Sequence, residues 1–165
     1  MPLAKLLFTL LLALVSAAIE AQDIEAGQRL YGACAMCHGA AGEGNRAMGA
    51  PRIGGLPSWY VAEQLKNFRA RRRGAAESDV YGPQMARAAE QLWDEGEVAS
   101  VAAYVATLPP AQSNPTLRGK ANRGRAAYAI CAACHGAAAE GNPELRAPPL
   151  RHLDDWYLVR QLAAF

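Results

Sequence analysis

The sequence predicts an all-α protein made of two tandem copies of one small domain behind an N-terminal export segment. Three observations carry this. Shifting residues 27–68 by 97 lays them on 124–165 without a gap, and 20 of the 42 positions are identical. A long period of this kind means duplicated domains rather than a solenoid. Apolar residues recur at helical intervals, and no segment alternates convincingly as a strand.

The elements follow in order. Residues 1–21 place Lys5 ahead of an apolar run at 6–15 and the small residues Ser16, Ala17 and Ala18. That is the layout of a cleavable signal peptide, and the run is short of the about 20 residues a membrane span needs. The first domain is read as 22–108. Asp23 can cap a helix through Ile24, Leu30 and Tyr31. Ser58 precedes a segment with Tyr60, Val61, Leu65 and Phe68 on one face, ending among Arg69 to Arg73. Asp94 and Glu97 form a capping-box pattern ahead of Val98, Val101, Ala102, Val105 and Leu108. Glycine- and proline-rich loops are expected at 39–57 and 74–83. Pro109, Pro110 and Pro115 mark a connector at 109–116, and the second domain is read as 117–165.

The chemistry sits in Cys34-Ala-Met-Cys37-His38 and Cys131-Ala-Ala-Cys134-His135, which use all four cysteines and two of the three histidines. Each is a CxxCH motif, the pattern of covalent c-type haem attachment. Two thiols a turn apart can each form a thioether with a haem vinyl group, and the next residue presents its imidazole to the iron. Two covalently bound haem c groups are therefore expected, on Cys34, Cys37, Cys131 and Cys134, with His38 and His135 as iron ligands. A disulfide within each pair would leave the histidines unexplained. A four-cysteine zinc site needs paired elements closer than the 97 residues separating these. So small a core is marginal alone, and a buried macrocycle would supply apolar volume.

The iron's second axial position decides its use, since a methionine opposite a histidine raises the potential and suits electron transfer. Met36 lies inside the attachment loop and Met48 close after it. Met85 follows the irregular stretch Tyr81-Gly82-Pro83-Gln84 well downstream; by position alone it is either a ligand or core filler.

Pro51-x-Ile53-x-Gly55, Tyr60-x-x-x-Gln64-Leu65-x-x-Phe68, and Met85 with Leu92 and Ala102-Ala103-Tyr104 resemble class I c-type cytochromes. Two such domains behind a signal peptide most resemble the periplasmic dihaem cytochrome c-four family, over residues 24–165. The resemblance implies that Met85 is the distal ligand of the first haem. It also implies that the Pro51 and Pro148 carbonyls orient His38 and His135, and that Tyr60 or Trp59 lies near a haem propionate, packing being the alternative role for both. The counterpart of Met85 would fall near position 182, so the second cytochrome domain is expected to be incomplete, with its distal ligand absent from this chain. The ending at Phe165 reads as a truncation. His152 is the spare imidazole should the ending be genuine, and an open iron there would permit side chemistry.

Residues 22–112 carry 9 basic and 10 acidic side chains, and 113–165 carry 7 and 4. That asymmetry can orient a carrier on redox partners, and Arg71-Arg72-Arg73 is either a docking patch or a solvated helix end. Export and the near-neutral balance argue against a nucleic-acid partner. The reading is a periplasmic electron carrier that converts no substrate. The resemblance implies transfer from a quinol-oxidising complex to a terminal oxidase, with peripheral association with membrane complexes. The alternative is a cytochrome subunit of a periplasmic sulfide- or alcohol-oxidising dehydrogenase.

Overall fold

A computed structural model of the chain describes residues 23–76, 79–110 and 115–164. The expected signal segment, part of the connector and Phe165 lie outside the described residues. The described chain is helical throughout, and its only β pairing is two isolated bridges, Asn45 with Ala50 and Asn142 with Ala147. These bridges occupy equivalent positions in the two copies.

Helix α1 (residues 23–38) runs through the first attachment motif to His38. A single 3-10 turn follows at Arg46–Met48, capped by the Asn45 side chain. Helix α2 (Ser58–Arg69) begins directly after Pro57, with Ser58 as its first residue, and it buries Val61, Leu65 and Phe68. That is the face expected from the sequence spacing.

Helix α3 (Gly82–Ala89) takes Pro83 in its first turn, where the missing N–H costs nothing. The expected irregular stretch before Met85 is therefore a helix start, and Met85 rides on α3. Proline read as a loop marker concealed a helix that proline can initiate.

Helix α4 (Glu95–Thr107) is capped by Asp94, whose carboxylate accepts from the Glu97 N–H at 2.8 Å. Glu97 reaches back to the Trp93 N–H at 2.7 Å, one residue before the position a capping box uses. Arg69 at the end of α2 donates to the Trp93 carbonyl at 3.1 Å, tying the two helix ends together. The α4 face of Val98, Val101, Ala102 and Val105 is buried, and the helix stops at Leu108 before Pro109.

Helix α2 packs on α3 and α4, while α1 crosses α4 at Gly27. A Cβ there would run into the Ser100 carbonyl, so only glycine permits this approach. Tyr31 and Tyr104 rings meet beside the crossing at 5.3 Å.

In the second copy, α5 (Ala121–His135) repeats α1, and α6 (Asp155–Ala164) repeats α2. Their burial differs sharply from that of the first copy. No residue of α5 is buried. Leu153 and Tyr157 instead join the core of the first copy, with Leu150, Trp156 and Leu158 packed against it. Val159 and Leu162, on the rest of α6, are exposed. The two copies thus share one apolar core, and it lies on the first.

Candidate functional site: two histidine cradles

Each attachment motif closes the C-terminal end of a helix, and the following loop folds back over its histidine in the same way twice. Gly44 N–H donates to the His38 carbonyl at 2.7 Å, and Gly141 N–H to that of His135 at 2.8 Å. Tyr31 Oη donates to the Gly39 carbonyl at 2.7 Å and Tyr128 Oη to Gly136 at 2.8 Å. Gly44 (φ 82°) and Gly141 (φ 83°) are left-handed. A Cβ on either would lie 2.6 Å from the backbone nitrogen of Arg52 or Pro149. Glycine is needed so that the proline segment can close over the ring.

That closure sets the imidazoles. His38 Nδ1 lies 2.7 Å from the Pro51 carbonyl, and His135 Nδ1 lies 2.9 Å from that of Pro148. A carbonyl only accepts, so Nδ1 carries the proton and a neutral ring keeps its lone pair on Nε2. Burial lowers the His38 pKa against the opposing pull of Pro51, which favours the neutral ring. An imidazole fixed at Nδ1 with a free Nε2 lone pair is what a metal ligand requires.

The thiols are unpaired in the structure, and burial pushes that of Cys34 above its usual value. Among the described residues no group of three or more His, Cys, Asp or Glu gathers to hold a bare metal ion, so the zinc alternative has no geometric support. One helical turn carrying two free thiols and a neutral, oriented imidazole fits a covalent haem. Both copies present that donor set, with the second pair of thiols exposed. Met85 is partly buried against the core cluster from α3. His152 sits in the turn between Leu150 and α6.

The arginine run divides: Arg71 and Arg72 stay exposed at the helix end, while Arg73 turns inward. Arg71 adopts φ 53°, which lets the Arg72 and Arg73 N–H groups both return to the Asn67 carbonyl, at 2.9 and 3.2 Å. Arg71 then pairs with Glu90 at 2.7 Å, and Arg72 with the Asn67 side chain. Arg73 turns inward to the second copy, donating to Tyr157 Oη at 2.6 Å and Gln161 Oε1 at 2.5 Å. Burial works against its charge, but the Tyr157 and Tyr60 oxygens outweigh that and hold the guanidinium above its usual pKa. Burial likewise pushes the Tyr60 phenol up to about 12.

Other ties cross the same boundary. Arg52 donates from its backbone N–H and Nε to Asp154 at 3.1 and 2.8 Å. Arg160 donates to the Gly49 carbonyl at 2.9 Å and stacks on Tyr81, Trp156 and Tyr157. The sequence reading did not find these residues. A usable signal lay in the repeat: Pro57 becomes Asp154 and Glu63 becomes Arg160 in the second copy, so one charge is gained and one reversed, and both face the other domain.

The cytochrome c family model matches residues 24–109 and 121–165. The thiosulfate dehydrogenase electron acceptor of Stutzerimonas stutzeri is 33% identical over 172 residues, covering 92% of this chain and 74% of that protein. Cytochrome c4 of Azotobacter vinelandii is 34% identical over 100 residues, 55% of this chain and 46% of its own length. Among solved structures, thiosulfate dehydrogenase TsdBA of Marichromatium purpuratum superposes with a TM-score of 0.71 at 32% identity, over 86% of this chain and 32% of that one. With its helical fold, its two cradled histidines and these matches, the chain belongs to the cytochrome c family and is an electron-transfer cytochrome.

Proposed function

We propose that the chain is an exported dihaem carrier, with one haem held by Cys34, Cys37 and His38 and the second by Cys131, Cys134 and His135. The observation that carries this is the repeated cradle, in which the same proline carbonyl fixes the same tautomer in both copies. A covalent haem supplies a one-electron iron couple. The residues of this chain attach it, orient the proximal imidazole and exclude water from one face. Met85, on a helix whose Ala86 and Ala89 are buried, is the distal ligand of the first haem in this reading. The apolar run at 6–15 supports export to the periplasm, and among the described residues no helix is long and apolar enough to cross a membrane.

Haem quantification and spectroelectrochemistry test the assignment. Two covalent haems per chain are expected, and fewer would overturn it. Met85→Ala should keep both haems and lower one potential by on the order of 0.1 V, within the ~0.8 V that axial ligation spans. An unchanged pair of potentials would remove Met85 from the iron.

The similarity to a thiosulfate dehydrogenase electron acceptor favours a second reading, in which the electron donor is a periplasmic dehydrogenase rather than a quinol-oxidising complex. Reduction of the purified chain by such an enzyme with thiosulfate, faster than by a quinol-oxidising complex, would select it.

A further inference from the structure

Position 63 and its repeat equivalent 160 both reach across the boundary between the copies, with different consequences. Glu63 meets the exposed side chain of Arg146 at 2.7 Å. Arg160 instead donates to the carbonyl of the buried Gly49 at 2.9 Å, and its guanidinium lies 4.8 Å from the centre of the Tyr81 ring. Trp156 and Tyr157, one turn earlier on α6, stand 5.0 and 5.3 Å from the same group. Residues three and four apart are neighbours on a helix, so α6 itself prepares the place of this cation. Two rings of its own copy and one of the other then hold it.

The two groups it touches on the first copy lead to the two axial residues of the first site. Gly49 belongs to the loop that cradles His38. Asn45 and Ala50 bridge around it at 2.8 and 3.0 Å, and Pro51, two residues on, accepts from His38 Nδ1 at 2.7 Å. Tyr81 begins α3, its carbonyl accepting from the Gln84 and Met85 N–H groups at 3.1 and 3.3 Å. The two segments meet directly, since a Cβ on Gly49 would collide with the Tyr81 ring. Arg160 grips both partners of that contact from the second copy.

We propose that Arg160 is a positioning residue for the first site, a clasp from the second copy that keeps the start of α3 against the His38 loop and so keeps Met85 in place as distal ligand. Loosening the clasp frees the Met85 sulfur to leave the iron, and the nitrogen of an added imidazole takes its position. The apparent affinity for such a competitor rises with the fraction of molecules whose site is open. The inference rests on the assignment of Met85 and goes beyond it, because it makes the hold on that ligand depend on the docking of the second copy.

The test is imidazole titration of the oxidised full chain, read by loss of the methionine-to-iron charge-transfer absorption, with covalent haem counted in each variant. That absorption reports only a methionine-ligated iron, so binding at the second site does not enter it. Arg160→Ala should keep two haems and lower the midpoint imidazole concentration about tenfold, the scale of one desolvated cation–π contact and one charged hydrogen bond. Tyr81→Leu should shift it in the same direction. Combined with Arg160→Ala it should add little, because the two residues act through one contact. Glu63→Gln, which removes the equivalent crossing pair, should leave the midpoint at its wild-type value. An unshifted midpoint in Arg160→Ala, additive shifts in the double variant, or an equal shift in Glu63→Gln would each overturn the proposal. Should Arg160→Ala lose haem, Arg160→Lys reads the same contact: without the planar fork it should show a smaller shift in the same direction, and a wild-type midpoint would overturn the proposal. A wild-type chain with two haems but no methionine absorption would instead overturn the Met85 assignment beneath it.

Discussion

Gly27 and Gly124 occupy the same position in the two copies, yet the same substitution should move stability in opposite directions. Both lie inside helices, where replacing glycine by alanine gains about 1 kcal/mol. At Gly124 nothing approaches the new Cβ within 4 Å, so Gly124→Ala should keep that gain in this chain. At Gly27 the Cβ would overlap the Ser100 carbonyl oxygen, and would also lie 2.6 Å from its carbon and 2.9 Å from Tyr104 Cβ. The obstacle is backbone, which cannot rotate away, so α1 must lift off α4. That costs about 3 kcal/mol, the upper part of the overpacking range, for a net loss of about 2 kcal/mol. At roughly 2–4 °C per kcal/mol for a protein of this size, Gly27→Ala should melt about 4–8 °C below wild type and Gly124→Ala about 2–4 °C above it. Thermal unfolding of the haem-loaded chains by circular dichroism reads both. Equal shifts in the two variants would refute the helix crossing at Gly27.

Two further outcomes follow from the boundary between the copies. Asp154 and Arg52 side chains are 9% and 15% exposed, so Asp154→Asn should cost about 2 kcal/mol, below the ~3–5 of a fully buried broken pair; a change under about 0.5 kcal/mol in urea unfolding would show that the pair is incidental. Asp155 holds the Thr116 hydroxyl and the Thr116 and Leu117 N–H groups at 2.6 to 2.7 Å. The Thr116 hydroxyl first, then the Leu117 amide, hold its carboxyl well below the usual range. A depressed folded pKa stabilises above the unfolded value, about 3.9, and that contribution fades as pH falls below it. Limited proteolysis near Thr116 should therefore be faster in Asp155→Asn than in wild type at pH 7, with wild type approaching the variant in acid. Equal cleavage at pH 7 would discount the tether.

Much of the fold was legible because its causes are local. Helices α2 and α4 announced themselves by apolar spacing and, for α4, by the Asp94 cap. Helix α3 did not, since Pro83 and Gly82 read equally as a loop and as a first turn. The attachment residues were legible because thioether chemistry demands two thiols and an imidazole in one order. Pro51 could be matched to a known pattern, but the hydrogen bond that assigns the Nδ1 proton required the loop to be seen folding back 13 residues.

The arginine run shows where local reading stops. Three consecutive arginines look alike in sequence, and a solvated or docking role follows from their charge alone. Their fates diverge because one left-handed residue turns the chain, sending Arg71 to Glu90 and Arg73 towards Gln161, 88 residues away. The sequence by itself determined helices α2 and α4, the duplication and the two attachment motifs, because periodicity and covalent chemistry act over a few residues. Only the tertiary structure decided that the two copies share a core and which arginines cross between them. Those depend on which surfaces the chain brings together, and two identical glycines or adjacent arginines carry no local record of what will lie against them.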